Sequence, residues 1–129
     1  MPFLTIHVVE GRSDEDLSCL LDSIHAAVLD AFSVPERDRY QILHQHPASR
    51  FVVQDTGLGI TRTSSRVLIE ITSRPRTTGE KQAFYAGVCA RLDAECGVAP
   101  SDVVVTVTEN GDDDWSFGHG RAQFLTGEL

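Results

Sequence analysis

The chain has no long apolar run: nowhere does it approach the roughly 18 consecutive apolar residues of a membrane-crossing helix. Its first residues form neither a basic segment nor an apolar one behind it, so a secretory leader is not expected. Basic residues are in short supply. Lys and Arg number 11 against 19 Asp and Glu, a formal charge of -8 over 129 residues. That balance argues against a nucleic acid as partner, because phosphates need a basic face. It also repels a small anion at long range, so a site for an anionic substrate requires arginines of its own. Cysteine is scarce, and its count of 3 is odd. Cys19, Cys89 and Cys96 lack metal-ligand spacing and read as reduced thiols of a cytoplasmic protein. His44 and His46 have no evident third ligand, so no metal is expected. Gly57 and Gly59 lack the third glycine and following helix of a nucleotide-binding turn. The acidic run Asn110 to Asp114 lacks the required glycine and bidentate glutamate of a calcium loop.

The chain does contain one pattern twice. Phe3 to Val9 reads as a strand broken by Gly11. Ser13 caps a helix, with Asp16 three positions on. Leu17, Leu20, Leu21, Ile24, Val28 and Phe32 follow at helical spacing. Val34-Pro35 ends that helix, and Tyr40 to Leu43 forms a second strand. At an offset of 64 residues the order repeats. Val67 to Thr72 is a strand, Thr77 and Glu80 make a capping box, and Phe84, Val88 and Leu92 give an apolar face that Gly97 ends. Val103 to Thr108 is a β-branched strand. Arg12 and Arg76, Val34 and Val98, and Asp38 and Asp102 share the offset.

The expected architecture is therefore α/β: two fused βαβ repeats forming one sheet with both helices on one face. The 41% of hydrophobic residues suffices for one modest core. The organisation predicted is a single domain over 1–129, with repeat one at about 2–43, a connector at about 44–65, repeat two at about 66–109 and a tail at 110–129. Within the connector, Phe51 to Gln54 suggests a short extra strand. The uncovered sheet face calls for self-association, which a symmetric ring provides. Phe124, Leu125 and Leu129 in the tail imply that it docks on this subunit or a neighbour.

Met1-Pro2 adds a chemical possibility. Removal of Met1 would leave Pro2 with a free secondary amine, able to act as acid, base or nucleophile. Inside a chain the same nitrogen has neither proton nor basicity.

A proline opening a duplicated βαβ unit resembles the tautomerase superfamily. Pro35-Glu-Arg-Asp-Arg-Tyr40, Asp55-Thr-Gly-Leu-Gly59, Ser73-Arg-Pro-Arg76, Asp114-Trp-Ser-Phe-Gly118 and Phe124-Leu-Thr-Gly-Glu-Leu129 resemble its malonate semialdehyde decarboxylase family along essentially the whole chain. The resemblance implies a homotrimer with no metal and no organic cofactor. It places catalytic roles on Pro2, Asp38, Arg74 and Arg76, with Arg74 and Arg76 also binding the substrate carboxylate. An apolar wall falls on Trp115, Phe117, Phe124 and Leu129. The implied activity is decarboxylation of malonate semialdehyde to acetaldehyde and CO2, with hydration as a side activity. Tautomerisation or dehalogenation of a small acid, and non-catalytic carboxylate binding, stay open as alternatives.

Each residue also has a plainer reading. Arg74 and Arg76 flank Pro75 ahead of a helix, where arginines are commonly solvated, although i, i+2 spacing at a strand end would aim both to one side. Asp38 is a natural turn residue, and its match with Asp102 favours a structural role common to both repeats. The aromatic residues of the tail serve equally as core or interface. For Pro2, a nearby Asp38 favours a protonated amine near neutral pH, whereas burial and the arginines oppose it.

Overall fold

The computed structural model describes residues 1–129. Its main elements are β1 (Pro2–Val9), α1 (Asp14–Phe32), β2 (Tyr40–His46), β3 (Val67–Ser73), α2 (Thr78–Cys96), β4 (Val103–Glu109) and a short α3 (Gln123–Thr126). The sheet order is β2-β1-β3-β4. Within each repeat the strands are parallel, and the repeats meet through the antiparallel β1–β3 pair.

Local chemistry explains the duplicated helices. Ser13 and Thr77 sit in extended backbone and accept hydrogen bonds from the Asp16 and Glu80 amides, each at 3.1 Å. At Thr77 the box is complete, because the Glu80 carboxylate accepts the Thr77 amide at 2.9 Å. Each helix runs for 19 residues. Each ends on a left-handed residue, Ser33 at φ 52° and Gly97 at φ 68°. Glycine adopts that backbone freely; Ser33 does so at a steric cost just where the chain turns into the cavity described below.

Alternation in β1 sends Leu4, Ile6 and Val8 toward the helices, where they meet Leu20, Ile24, Val28 and Phe32 of α1. Val67, Ile69 and Ile71 of β3 do the same against Phe84, Val88 and Leu92 of α2. Burying one such side chain contributes about 1.5–3 kcal/mol. The helical faces thus lie as the spacing predicts.

β1, β3 and β4 each extend one residue beyond the sequence expectation, and the larger differences lie in β2 and the connector. β2 continues past Leu43 to His46, because β1 offers partners as far as Val9. No strand forms at Phe51 to Gln54. A 3-10 turn at Ala48–Arg50 precedes it, and the Phe51 carbonyl accepts Arg66 Nε and Nη2 at 2.9 and 2.7 Å. A side chain takes the hydrogen bond that a neighbouring strand would otherwise supply.

The opposite sheet face has no covering layer in the single chain. It carries Phe3, Thr5 and His7 of β1, Ile42 and His44 of β2, and Leu68, Glu70 and Thr72 of β3. Ile42 is 46% exposed. His7, His44 and His46 cluster with ring centroids 5.1–6.2 Å apart, and His7 Nε2 lies 2.8 Å from Glu70 Oε2. The histidines noted at 44 and 46 therefore belong to a polar island on this face.

Candidate active site

Strand register assembles the site. Antiparallel pairing sets Pro2 opposite Ser73, so the start of β1 lies beside the turn carrying Arg74 and Arg76. Parallel pairing sets Phe3 opposite Tyr40, which brings Asp38 to the same end of the sheet. Ser73 also faces Glu109, where the tail departs. A cavity of about 500 Å³ opens at this junction. Met1, Asp38, Arg74 and Arg76 line it, with Phe117 and Phe124 as an apolar wall.

The arginines lie beyond the last residue of β3, so strand alternation does not aim them. Side-chain bonds do. Arg76 Nε donates to Ser73 Oγ at 3.1 Å, and its Nη1 donates to the Phe32 carbonyl at 3.1 Å, near the end of α1. Its backbone amide donates to Glu109 Oε2 at 2.9 Å, and Lys81 holds the other oxygen of that carboxylate at 2.8 Å. Only Nη2 of Arg76 is left without a bond in the protein. Arg74 is held differently. Nη1 pairs with Asp112 Oδ1 at 2.9 Å, the guanidinium lies 3.9 Å over the Phe124 ring, and the buried Nε has no partner. Two fixed cations beside an apolar wall are chemically suited to a small carboxylate.

Asp38 and Asp102 show how the repeats diverge. Their amides donate to the Pro35 and Ala99 carbonyls, each at 2.9 Å, in matching turns. Asp102 then accepts the Thr63 amide at 2.6 Å with one oxygen and the Thr63 hydroxyl with the other. Asp38 is only 7% exposed, yet its Oδ1 is buried without a partner. The common structural role is confined to the backbone turn; the Asp38 carboxylate is left for the cavity. Burial pushes its pKa above the ordinary carboxylate value, with the chain's amino terminus and then Arg76 pulling it back.

A buried carboxyl with a raised pKa weakens the fold as pH rises. Between its unfolded and folded values the native state binds the extra proton, so stability falls across that window and does not recover above it. Asp38→Asn is therefore expected to melt at or above the wild-type temperature at pH 7. The difference should vanish below the ordinary value of 3.8, where both forms are neutral. Turnover should fall about tenfold or more if Asp38 serves in proton transfer. Thermal melts at the two pH values, with rates at pH 7, check this; a lower melting temperature at pH 7 would make the Asp38 charge a support of the fold.

The predicted wall is partly rearranged. Phe117 and Phe124 line the cavity, their rings edge to face at 5.5 Å. Leu129 lines it too, although 66% exposed. Trp115 is not part of the lining. It stacks behind Phe117 at 5.6 Å, and its indole Nε1 donates to Asn110 Oδ1 at 2.7 Å. That hydrogen bond holds it in the supporting layer. Phe32, Ser33, Val34, Pro35, Arg37 and Tyr40 also line the cavity, none of them given a site role by the sequence. Phe32 and Val34 read as helix face and helix terminator, and Tyr40 as strand; only the register that sets Tyr40 beside Phe3 gives them a second surface.

Tautomerase enzyme family models match residues 38–118 and residues 2–60. The chain belongs to the tautomerase superfamily. A curated relative, the probable tautomerase YrdN of Bacillus subtilis (strain 168), is 48% identical over 129 residues, covering 100% of both chains. A crystal structure of malonate semialdehyde decarboxylase, described for its decarboxylase and hydratase activities, is 47% identical with a TM-score of 0.97 over 98% of each chain. The FG41 malonate semialdehyde decarboxylase inhibited by 3-bromopropiolate is 41% identical, with a TM-score of 0.94 over 98% of this chain and 97% of that one. A fused 4-OT described as a symmetric trimer shares the fold at 21% identity and a TM-score of 0.79, over 97% and 98% of the chains.

Superfamily membership bears on the amine. The free α-amine of the chain described is that of Met1, and Pro2 lies buried behind it in peptide linkage. The Met1 amine stands one residue ahead of the position a freed Pro2 amine would take. Burial lowers its pKa from 8.0, Arg76 adds to the lowering, and Asp38 opposes both. At the Met1 amine, burial and Arg76 together outweigh Asp38. A proline amine is intrinsically more basic than a primary α-amine, so it starts from a higher value before the same forces act.

Proposed function

We propose that this superfamily member, freed of Met1, decarboxylates malonate semialdehyde (3-oxopropanoate) to acetaldehyde and CO2. The observation that carries the reading is the convergence of the Pro2 end of β1 with the unpartnered Arg74 Nε and Asp38 Oδ1 at one cavity. The likeness to two malonate semialdehyde decarboxylases above 40% identity supports it. Heterolysis of the bond to the carboxylate releases CO2 and sends its electron pair through the α-carbon to the carbonyl oxygen. Protonation at that carbon completes acetaldehyde. A protonated Pro2 stabilises the oxygen as charge develops; a neutral Pro2 instead condenses with the aldehyde, releasing water, to an iminium whose nitrogen accepts the pair, and hydrolysis after protonation at carbon returns acetaldehyde and the free amine.

Arg74 and Arg76 bind a charge that departs with CO2. Binding the ground state alone does not accelerate the step. Their contribution is to hold the breaking bond perpendicular to the carbonyl plane against the wall of Phe117 and Phe124. Asp38 charges Pro2 or positions water, the latter allowing hydration of an unsaturated acid. No resident cofactor enters these steps. The working unit is a homotrimer, supported by the uncovered sheet face with its exposed Ile42 and by the trimeric fold neighbour.

The name of the curated relative favours a second reading, enol–keto tautomerisation of a small oxo acid with Pro2 as base. A proton NMR time course of mass-checked protein starting at Pro2 separates the two. Acetaldehyde forming well above the enzyme-free rate is expected. Its absence, with turnover of an enol acid, would replace decarboxylation by tautomerisation.

A further inference from the structure

We propose that Asp112 is a positioning residue that aims Arg74 at the substrate carboxylate; the proposal rests on the carboxylate-binding reading above. A guanidinium presents two edges to a carboxylate, the end formed by Nη1 and Nη2 and the side formed by Nε and Nη2. Asp112 Oδ1 accepts from Nη1 at 2.9 Å and so competes with a substrate for the end edge. The Phe124 ring, 3.9 Å from Arg74 Cζ, covers one face. On the side edge, Nε is buried and has no partner in the protein. A buried donor left unpaired is costly, and a bidentate carboxylate would satisfy it. Arg76 has no comparable edge, because its Nε and Nη1 are spent on Ser73 and Phe32.

Asp112 itself is anchored. It opens the 3-10 turn Asp112–Asp114, which is closed by Gly111 N–H on Asp114 Oδ2 at 2.7 Å and by Asp114 N–H on the Gly111 carbonyl at 3.1 Å. The Asn110 amide ties the turn to the Ser73 carbonyl at 2.9 Å, one residue before Arg74. Asn110 Oδ1 also holds Trp115 and through it the Phe117 stack. The acidic run that resembles a failed calcium loop thus fixes a cation and the aromatic wall from one point.

This arrangement has a kinetic signature. Asp112 shares Arg74 with the incoming anion and repels it, so it weakens ground-state binding while fixing direction. In the full-length protein, Asp112→Ala is expected to lower kcat about tenfold or more through misalignment, with KM unchanged or lower. Asp112→Asn keeps the acceptor oxygen and should restore most of kcat. The Arg74 Nε–H resonance of ligand-free protein should move or broaden in Asp112→Ala and return in Asp112→Asn. An unchanged kcat with an unmoved resonance would overturn the proposal, as would a raised KM at constant kcat, which makes Asp112 part of binding. If the wild type does not turn over malonate semialdehyde, the decarboxylase reading fails by itself. The resonance, read with and without 3-hydroxypropanoate as probe, then decides: movement in Asp112→Ala supports positioning, and identity with wild type refutes it.

Discussion

Pro2→Ala is expected to lower malonate semialdehyde decarboxylation by about 10²–10⁴-fold, the range for loss of a positioned acid–base group. The backbone of residue 2 is held in the β1–β3 ladder opposite Ser73, so the fold should survive the exchange. What changes is the amine. Proline fixes φ and supplies a secondary nitrogen of higher basicity, whereas alanine leaves a primary amine free to rotate. Steady-state acetaldehyde production, on samples whose intact mass confirms loss of Met1, measures the effect. Turnover equal to wild type would remove Pro2 from the mechanism. A species retaining Met1 offers an independent control, since its proline nitrogen is an amide and its cavity holds the Met1 chain end.

Arg76→Ala should produce the second large loss, about 10²-fold in kcat/KM for a carboxylate substrate, comparable to removing one aimed donor from a desolvated site. An uncharged amide analogue should be affected far less, and an equal loss on both would deny Arg76 a carboxylate-binding role. Arg76→Lys is expected to rescue poorly, because an ammonium cannot bond Ser73 Oγ and the Phe32 carbonyl in the same planar geometry. The variant also carries a pH signature. Arg76 depresses the amine at the chain's start, so its removal raises that pKa. If a protonated amine is the catalyst, the alkaline loss of activity moves to higher pH. If a neutral amine forms an iminium, the acidic loss moves to higher pH instead. A full pH–rate profile of wild type and Arg76→Ala therefore separates the two routes by sign. Losing the bond to the Phe32 carbonyl should cost stability by about 1 kcal/mol, which a denaturant melt would register.

The duplicated helices were legible because caps and faces are local chemistry. Ser13, Thr77 and Gly97 act within a few residues of themselves, and the spacing of Leu20, Ile24 and Val28 is a property of the helix alone. Phe51 to Gln54 was misleading for the opposite reason. Its residues suit a strand, but a strand needs an edge to pair with, and Arg66 supplies the hydrogen bonds instead. Trp115 illustrates the same limit at the site. An aromatic cluster is visible in the sequence, yet which ring faces the cavity depends on Asn110 accepting the indole N–H.

The sequence by itself determined the two βαβ units, the faces they bury and the residue types available for handling a carboxylate, since these follow from short-range periodicity and side-chain chemistry. Only the tertiary structure decided which of two offset-matched aspartates is available, because the difference lies in Thr63 reaching Asp102 while nothing in the protein bonds Asp38 Oδ1. It also decided how the arginines are aimed. Pairing Pro2 with Ser73 joins the two ends of the repeats, and Asp112, Phe124 and Phe32, distant in sequence, join Ser73 in fixing which guanidinium nitrogens are left without partners.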